Sequence, residues 1–271
     1  MSKLQVVLTS LLAVFGLIAA TPATAIELDG FTEPYRTISV AADESGIIAE
    51  MLVREGHVVE AGQPLVRLNS DVHLALLAIA EQSMQAQGRV EAASAEMRMR
   101  RERLAKLDSL RIGGHARQEE VDRARTEFAV AEANVRTARE DLATRRLEYE
   151  KLKAQLQRRT IRSPIAGAVT QLQKELGEFV APNAPEILTL VQLDPLLANF
   201  SMMRVDAEKL RVGAKVKVGF PGLNRRMDGV IEFISPVTDA ESGTVRVKVR
   251  VANADGQLRS GERCTIRISS K

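Results

Sequence analysis

A long stretch without proline constrains this sequence more than any other feature. Residues 71–159 contain no proline, and glycine occurs there only at Gly88, Gly113 and Gly114. Ala, Glu, Arg, Leu and Gln dominate the stretch, and all five are good helix formers. The adjacent Gly113 and Gly114 end one helix and free the chain to reverse direction. The stretch therefore predicts a hairpin of two helical arms, each about 60 Å long for about 40 residues at 1.5 Å per residue.

Apolar residues recur every seven positions in both arms, as in the packing seam of a coiled coil. In the second arm, the two seam registers hold Val121, Phe128, Val135, Leu142, Tyr149 and Leu156, and Ala124, Ala131, Ala138 and Leu152. In the first arm, they hold Leu76, Val90, Met97 and Leu104, and Ile79, Ala86, Ala93 and Leu107. The pattern predicts an antiparallel or intermolecular coiled coil with a charged, solvated outer face. Its tip is the part that it presents to another molecule.

Composition excludes several functional classes. Hydrophobic residues make up 45% and charged residues 27% of the 271 residues, which is typical of a folded soluble protein. A net charge of +3 gives no basic surplus for nucleic-acid binding. The single cysteine, Cys264, excludes an intrachain disulfide framework and a cysteine-built zinc site. His57, His73 and His115 are scattered, and no catalytic motif or phosphate loop occurs, so we predict no enzyme activity, cofactor or metal.

The N-terminus has the pattern of an export signal. Lys3 precedes a mostly apolar run over residues 4–20, and Ala23-Thr24-Ala25 is an A-x-A cleavage pattern. Residues 1–25 are therefore interpreted as a cleaved signal peptide, with Ile26 as the mature N-terminus. The alternative is an uncleaved anchor helix, although the run is slightly short for a membrane span.

The regions on either side of the predicted hairpin form an imperfect repeat. Gly46 and Gly167, Gly56 and Gly177, and Pro64 and Pro185 are each separated by 121 residues. Apolar alternation between glycines predicts short strands joined by tight turns. The structural glycines of the two halves are Gly46, Gly56, Gly62, Gly167 and Gly177. Because each half buries too little alone, residues 26–70 and 160–194 are expected to pair in one small β-sandwich, with the hairpin of residues 71–159 inserted between them.

The C-terminal quarter predicts a second β domain. Short alternating segments begin near Lys215, Thr244 and Thr265, with glycines between them and a short helix at residues 205–210. This pattern is typical of a small β-barrel, here residues 195–271. Cys264 lies on its last strand and is interpreted as a small buried hydrophobic residue.

Three segments together resemble a known family. They are Ser45-Gly46-Ile47-Ile48, the run from Glu55 to Leu65 (EGHVVEAGQPL), and the run from Ile161 to Gly167 (IRSPIAG). Their order and spacing resemble the lipoyl-like domain of the periplasmic adaptor (membrane-fusion) proteins of tripartite efflux pumps, which are related to the HlyD family. A β-barrel follows in that family, and Gly229–Pro236 and Leu258–Gly261 look like its recurring segments.

The resemblance implies an α+β fold: an elongated modular protein whose long helical coiled-coil hairpin is inserted in a lipoyl-like β-sandwich, followed by a small β-barrel. It implies a non-enzymatic adaptor in the periplasm of a Gram-negative bacterium, associated with the inner membrane through its transporter. The expected partners are an inner-membrane exporter, preferably of the resistance-nodulation-division (RND) type, an outer-membrane channel, and copies of the chain itself, six by family resemblance. No nucleic acid is expected.

Three alternatives stay open at this stage. An adaptor of an ABC exporter or type I secretion system shares these domains. A coiled-coil scaffold without a transport partner would explain the hairpin but not the repeat. True biotin and lipoate carriers have a modified lysine on the turn that the hairpin replaces here. Many pump adaptors also continue into a membrane-proximal domain, whose C-terminal segment does not follow Lys271 here, so the docking mode is open.

The tip supplies the candidate partner-binding residues. In adaptors of RND pumps an Arg-Leu-Ser pattern meets the outer-membrane channel, and alignment on Glu120-Val121-Asp122 places Lys106, Leu110 and Arg117 at those positions. Leucine is kept, arginine becomes lysine, and serine becomes arginine. Lysine does not reproduce the planar fork of arginine. Together with His115, these residues are predicted to face a partner; the alternative is ordinary solvated charge at a turn.

Overall fold

The structure is a computed structural model that describes residues 25–269. The predicted signal peptide therefore lies outside the described residues apart from Ala25. The strands are β1 (Ala25–Ala41), β2 (Gly46–Met51), β3 (Val58–Val59), β4 (Pro64–Leu68), β5 (Thr160–Arg162), β6 (Gly167–Leu172), β7 (Phe179–Val180), β8 (Glu186–Met203), β9 (Lys215–Phe220), β10 (Arg225–Thr238), β11 (Thr244–Val251) and β12 (Arg263–Ser269). The helices are α1 (Asp71–Gln85), α2 (Gly88–Ile112), α3 (Gln118–Arg158) and α4 (Arg204–Ala207), with a 3-10 turn at Pro221–Leu223.

The chain divides into two units, and β1 and β8 contribute to both. The hairpin unit comprises residues 36–193, and the barrel unit comprises residues 25–35 and 194–269 of the described chain. The hairpin unit holds the sandwich and all three long helices. Mixed helices and strands in these two units agree with the expected α+β class.

The sandwich is built from two halves that exchange hydrogen bonds reciprocally. In one layer, β5, β4, β2 and β7 are neighbours, and in the other β3 pairs with β6 and β6 pairs with β8. Ile47 pairs with Phe179, and 121 residues away from each, Ala168 pairs with Val58. The repeat seen in the sequence is therefore a pseudo-twofold relation in space. The enclosed core is apolar and includes Ile48, Leu65, Val66, Val169, Ile187 and Leu188.

The 121-residue offset does not extend to the last strand of each half. The buried residues of β4 are Leu65, Val66 and Leu68, whereas the residues that β8 contributes to the same core are Ile187, Leu188 and Leu190. The offset between these two sets is 122, so the matching prolines of the sequence do not mark equivalent positions. One additional residue between β7 and β8 shifts which side chains face the core, because side chains in a strand alternate between its faces.

The second arm of the hairpin agrees with the predicted seam. α3 is one helix of 41 residues, and its buried residues are Val121, Ala124, Ala131 and Val135, all of which lie in the predicted registers. Arg100, which interrupts a register of the first arm, is half-buried, with its Nη1 2.8 Å from Glu127 Oε2. This ion pair explains how a charged residue is accommodated at an apolar register position.

The first arm differs from the prediction because it is two helices. α1 ends at Gln85, Ala86 has a non-helical backbone (φ −75°, ψ 89°), and α2 begins at Gly88. The break turns α1 about its axis relative to α2. Leu76 and Ile79, which were predicted seam residues, are 43% and 65% exposed. Their assignment was wrong, as was that of Ala86, which caps α1 and is exposed.

The side chains of α1 that are shielded from solvent lie one position after the predicted seam residues. Ala80 is buried, and the half-buried residues of α1 at compatible helical spacing are His73, Leu77 and Met84. Both α1 and α2 pack against α3. The register of the first arm therefore shifts by one residue at the break.

The barrel unit is a closed set of strands. The strand order is β1, β12, β9, β10, β11 and β8, and β1 also pairs with β8. β11 pairs with β8 without a bulge from Thr244 opposite Met203 to Val251 opposite Leu196. Side chains that face the interior include Leu196, Ala198, Phe200, Met202, Val218, Phe220, Ile231, Val247, Val249 and Ile266. The predicted helix at residues 205–210 is the shorter α4.

Cys264 confirms its predicted place in the barrel. It lies on β12, its side chain is fully buried, and it pairs opposite Gly30 of β1. Burial raises the pKa of its thiol to about 12, with a further contribution from the negative charge of Asp29. The thiol is therefore protonated at neutral pH and packs as a hydrophobic side chain.

Helices long and apolar enough to cross a membrane are absent from residues 25–269. The same described residues hold no group of three or more His, Cys, Asp or Glu side chains that could bind a metal ion.

Candidate partner-binding site at the hairpin tip

The tip is a five-residue loop, residues 113–117, that joins α2 to α3. Its reversal depends on Gly114, whose φ of 76° lies in the left-handed region that favours glycine. The amide of Gly114 donates to the carbonyl of Arg111, and the amide of His115 donates to that of Leu110. These bonds satisfy two of the last carbonyls of α2. The backbone of the loop is consequently a defined turn.

Arg117 occupies the residue that precedes α3, where a helix normally has a hydroxyl or an acid. Arginine has no acceptor for the free amides of the first helical turn. Glu120 supplies part of the cap instead, because its carboxylate accepts a hydrogen bond of 2.9 Å from the Arg117 amide. A serine at this position would cap the helix with its own side chain. In this chain the guanidinium of Arg117 is exposed, and Glu120 caps the Arg117 amide alone.

The structure brings three of the four predicted tip residues into the turn. Leu110 and His115 are joined by their backbone hydrogen bond, and Arg117 follows two residues later. Lys106 lies one helical turn before Leu110 on the same face of α2. Leu110 is 38% exposed, and the other three side chains are also exposed. All four can reach a partner, although no contact in the described chain assigns them that role.

Ile112 is a further exposed residue of the tip that was not among the predicted partner-binding residues. It ends α2 and its side chain is 82% exposed. The sequence contained a signal for it, since a large apolar residue directly before two glycines lies where the chain reverses. Together with Leu110 it gives the tip an apolar element among the charges of Lys106, Arg111 and Arg117. Arg111 itself is held near Asp108, at 3.8 Å.

At the opposite end, Arg159 fastens the hairpin to the sandwich. Its side chain is only 11% exposed, and Nε donates to Nε2 of His73 at 3.1 Å. Its Nη1 donates to the carbonyl of Asn69 at 2.6 Å, and Nη2 donates to that of Ser45 at 3.3 Å. The carboxylate of Glu44 lies 3.8 Å from Nε. The guanidinium therefore connects the end of α3 to the start of α1 and to the sandwich, which fixes the direction of the hairpin within this unit.

Comparisons with known proteins agree with this geometry. The family described as "CzcB-like, barrel-sandwich hybrid domain" matches residues 36–191, and that described as "CusB-like, beta-barrel domain" matches residues 198–271. The first match covers more than half of the chain and coincides with the sandwich and its inserted hairpin. The chain belongs to the membrane-fusion proteins, the family of periplasmic adaptors of efflux pumps.

Individual relatives are distant. The nodulation protein NolF of Rhizobium meliloti is 28% identical over 88% of this chain and 62% of its own length. The membrane fusion protein MtrC of Neisseria gonorrhoeae is 27% identical over 89% of this chain and 59% of its own length. The chain thus spans about three fifths of these relatives. The crystal structure of MacA from Actinobacillus actinomycetemcomitans is similar in fold, with a TM-score of 0.78, 21% identity and coverage of 90% of this chain and 78% of that one.

Proposed function

We propose that this chain is a periplasmic adaptor that links an inner-membrane efflux transporter to an outer-membrane channel and forms part of the export conduit. The observation that carries the proposal is the hairpin unit. Its helices start and end on the sandwich, where Arg159 anchors them, and α3 spans about 60 Å at 1.5 Å per residue before the exposed tip. An exposed tip held at that distance from its domain is suited to reach a second protein.

The residues that we assign to the outer-membrane contact are Lys106, Leu110, His115 and Arg117, with Ile112 added on the basis of its exposure. An exposed apolar side chain surrounded by charges is a typical centre of a protein interface. Charged neighbours then select the partner and its orientation. We assign no chemical step to the chain, so cargo would pass through the assembly unaltered.

We further propose that the transporter is of the RND type. The support is the alignment of the tip with the Arg-Leu-Ser pattern, in which Leu110 is kept, and a barrel domain of the CusB-like kind. An ABC exporter or a type I secretion system is the alternative, because adaptors of those systems share the sandwich and hairpin. Identification of the transporter that copurifies with the chain from detergent-solubilised membranes distinguishes the two.

Export, assembly and domain bounds belong to the same proposal. A cleaved signal peptide over residues 1–25 would deliver the chain to the periplasm, where association of six copies would close the conduit. The sandwich halves at residues 26–70 and 160–194, the hairpin at 71–159 and the barrel at 195–271 are the parts that we expect to act separately. Their glycines, among them Gly62 with its φ of 82°, would keep the sandwich turns in place.

Cross-linking from the tip tests the proposal in cells. Cys264 is replaced by Ser, His115→Cys is introduced, and adducts in isolated envelopes are identified by mass spectrometry. An adduct with an outer-membrane channel is expected. Self-adducts alone, or none, in cells that export normally would contradict the proposal and favour a scaffold.

Charge reversal sharpens the same experiment. Lys106→Glu with Arg117→Glu is expected to reduce the channel adduct at least about tenfold, a loss of about 1.4 kcal/mol or more, because acidic groups of the channel that pair with these cations would then meet like charges. Arg146→Glu with Lys151→Glu, two exposed charges of α3 far from the tip, is the matched control and should leave the adduct unchanged. Circular dichroism checks that both double variants keep their helices. An unchanged adduct in the tip variant would remove these residues from the interface.

A further inference from the structure

Two turns of the sandwich have the same backbone conformation but differ in the charge and size of their side chains. The first turn is Arg54–Val58, and the second turn, 121 residues later, is Glu175–Phe179. Gly56 and Gly177 have φ of 86° and 85°. The Gly56 amide donates to Val169 at 2.8 Å, and the Gly177 amide donates to Ile48 at 2.9 Å. The pseudo-twofold relation therefore places the two turns on opposite sides of its axis, each against the other half of the sandwich.

Even the side-chain caps of the two turns correspond. The Arg54 amide donates to Nδ1 of His57 at 3.4 Å. The Glu175 amide donates to Oε2 of Glu178 at 3.1 Å. One turn thus uses an imidazole where the other uses a carboxylate, so the same fold is kept while the charge changes.

The charges that the turns present to solvent are complementary. Glu175 and Glu178 give the second turn two carboxylates, whereas the equivalent residues of the first turn are Arg54 and His57. Glu55 is turned back onto its own sandwich, where it accepts a hydrogen bond of 2.9 Å from the Leu172 amide. Among the residues that the structure describes, neither the Arg54 guanidinium nor the Glu175 carboxylate takes part in a salt bridge.

The apolar residues of the turns are complementary in size. Beside the second turn, Phe179 and its strand partner Ile47 are 56% and 51% exposed, and Leu176 is 64% exposed. Beside the first turn, the equivalent pair is Val58, 81% exposed, and the small Ala168. A large apolar surface next to two acids and a small one next to an arginine therefore occupy equivalent places on one domain.

We propose that these turns are the two sides of one contact between copies of the chain: the second turn of one copy packs on the first turn of the next. This inference rests on the self-association in the proposed function and names its surface. Within one copy the turns lie on opposite sides of the axis, so only different copies can bring them together. Contact between two second turns would gather four carboxylates, and contact between two first turns would oppose two arginines. A head-to-tail contact avoids both of these like-charge contacts. It generates a closed ring when the rotations from copy to copy add up to a full turn.

Disulfide trapping tests the pairing in the full chain with Cys264→Ser. Val58→Cys with Phe179→Cys in the same chain is expected to give, after mild oxidation, a ladder of covalent oligomers on non-reducing gels. Equal amounts of chains with only Val58→Cys and only Phe179→Cys are expected to give one dimer band and nothing larger. Val58→Cys with Leu147→Cys, on an exposed site of α3, is the control and should give no ladder.

Charge exchange provides an independent readout. Arg54→Glu alone and Glu175→Arg alone are each expected to lower the ladder at least about tenfold, because each places like charges together. The two changes in one chain should restore it to within about threefold. Circular dichroism confirms that all three variants fold. Dimers from Phe179→Cys alone would overturn the proposal in favour of a symmetric contact, and so would absence of the ladder or failure of the exchange to restore it.

The tip cross-link separates this inference from the proposed function. A channel adduct from His115→Cys without a ladder would overturn the pairing of the turns and leave the adaptor function standing. A ladder without any channel adduct in exporting cells would overturn the adaptor function and leave the pairing of the turns standing.

Discussion

The strands and the helical hairpin bury their side chains very differently. In the barrel, Phe200, Val247 and Ile266 have no exposed surface. In the hairpin, α2 has no buried residue, and α3, although 41 residues long, has four. Two helices packed side by side can cover only one stripe of each other, whereas a closed sheet encloses its whole interior. The strands therefore hold the stability of each unit, and the hairpin is a marginal structure over most of its length.

Phe200→Ala is expected to have the largest effect. Removal of a fully buried aromatic ring costs about 3–5 kcal/mol of unfolding free energy, through lost burial and the cavity left behind. Urea unfolding measures the loss, and hydrogen exchange should locate it in β8 and β11. Val135→Ala, at a buried position of the hairpin seam, should cost about 2 kcal/mol and affect only α2 and α3. A larger loss of unfolding free energy for Val135→Ala than for Phe200→Ala would contradict this difference between barrel and hairpin. Changes in hydrogen exchange that spread from Val135 into the barrel would also contradict it.

The difference between the strands and the hairpin also determines how much of each could be predicted from the sequence. The alternating segment that begins at Thr244 was predicted as a strand, and the structure has it as β11 (Thr244–Val251), because a period of two is local information. The seam of α3 was also predicted correctly, since one uninterrupted helix keeps its register over many heptads. The position of Arg159 could not be predicted, because its partners His73 and Ser45 are 86 and 114 residues away in the chain.

The glycines of the two sandwich halves give the next comparison. Gly46 and Gly167 are equivalent by the repeat, but their surroundings differ. A Cβ on Gly167 would lie 2.4 Å from the carbonyl oxygen of Val191, which is backbone, and one on Gly46 would lie 2.8 Å from Nη1 of Arg159. Sequence spacing identifies both glycines but not the atoms that approach them.

Gly167→Ala is therefore expected to destabilise the sandwich by about 1–3 kcal/mol, since a strand must move to relieve the contact. Gly46→Ala should cost less, because the guanidinium of Arg159 can shift at its flexible end. Its effect should instead appear as faster hydrogen exchange at the start of α1 and the end of α3. Equal losses of unfolding free energy in the two variants, measured by urea unfolding, would contradict the difference in surroundings.

The prediction from the sequence was least accurate in the first arm of the hairpin. Ala86 and Gln87 are compatible with a continuous helix, and nothing near them except Gly88 predicts an end. The heptad pattern was therefore extended across the break, which placed Leu76 and Ile79 in the seam. Because a coiled-coil register is defined only along an unbroken helix, an interruption of two residues is sufficient to shift the packing face of α1 by one residue.

Leu76 and Leu77 test that register at adjacent positions with the same change. Leu77→Ala is expected to destabilise α1 by about 1 kcal/mol, because this half-buried side chain packs toward α3. Leu76→Ala should change the stability by less than about 0.5 kcal/mol, since the side chain is 43% exposed and alanine favours the helix. Hydrogen exchange of α1 amides measures both, because local opening reports the stability of that segment alone. The opposite ranking would restore the uninterrupted register and would place the break at Ala86 in doubt.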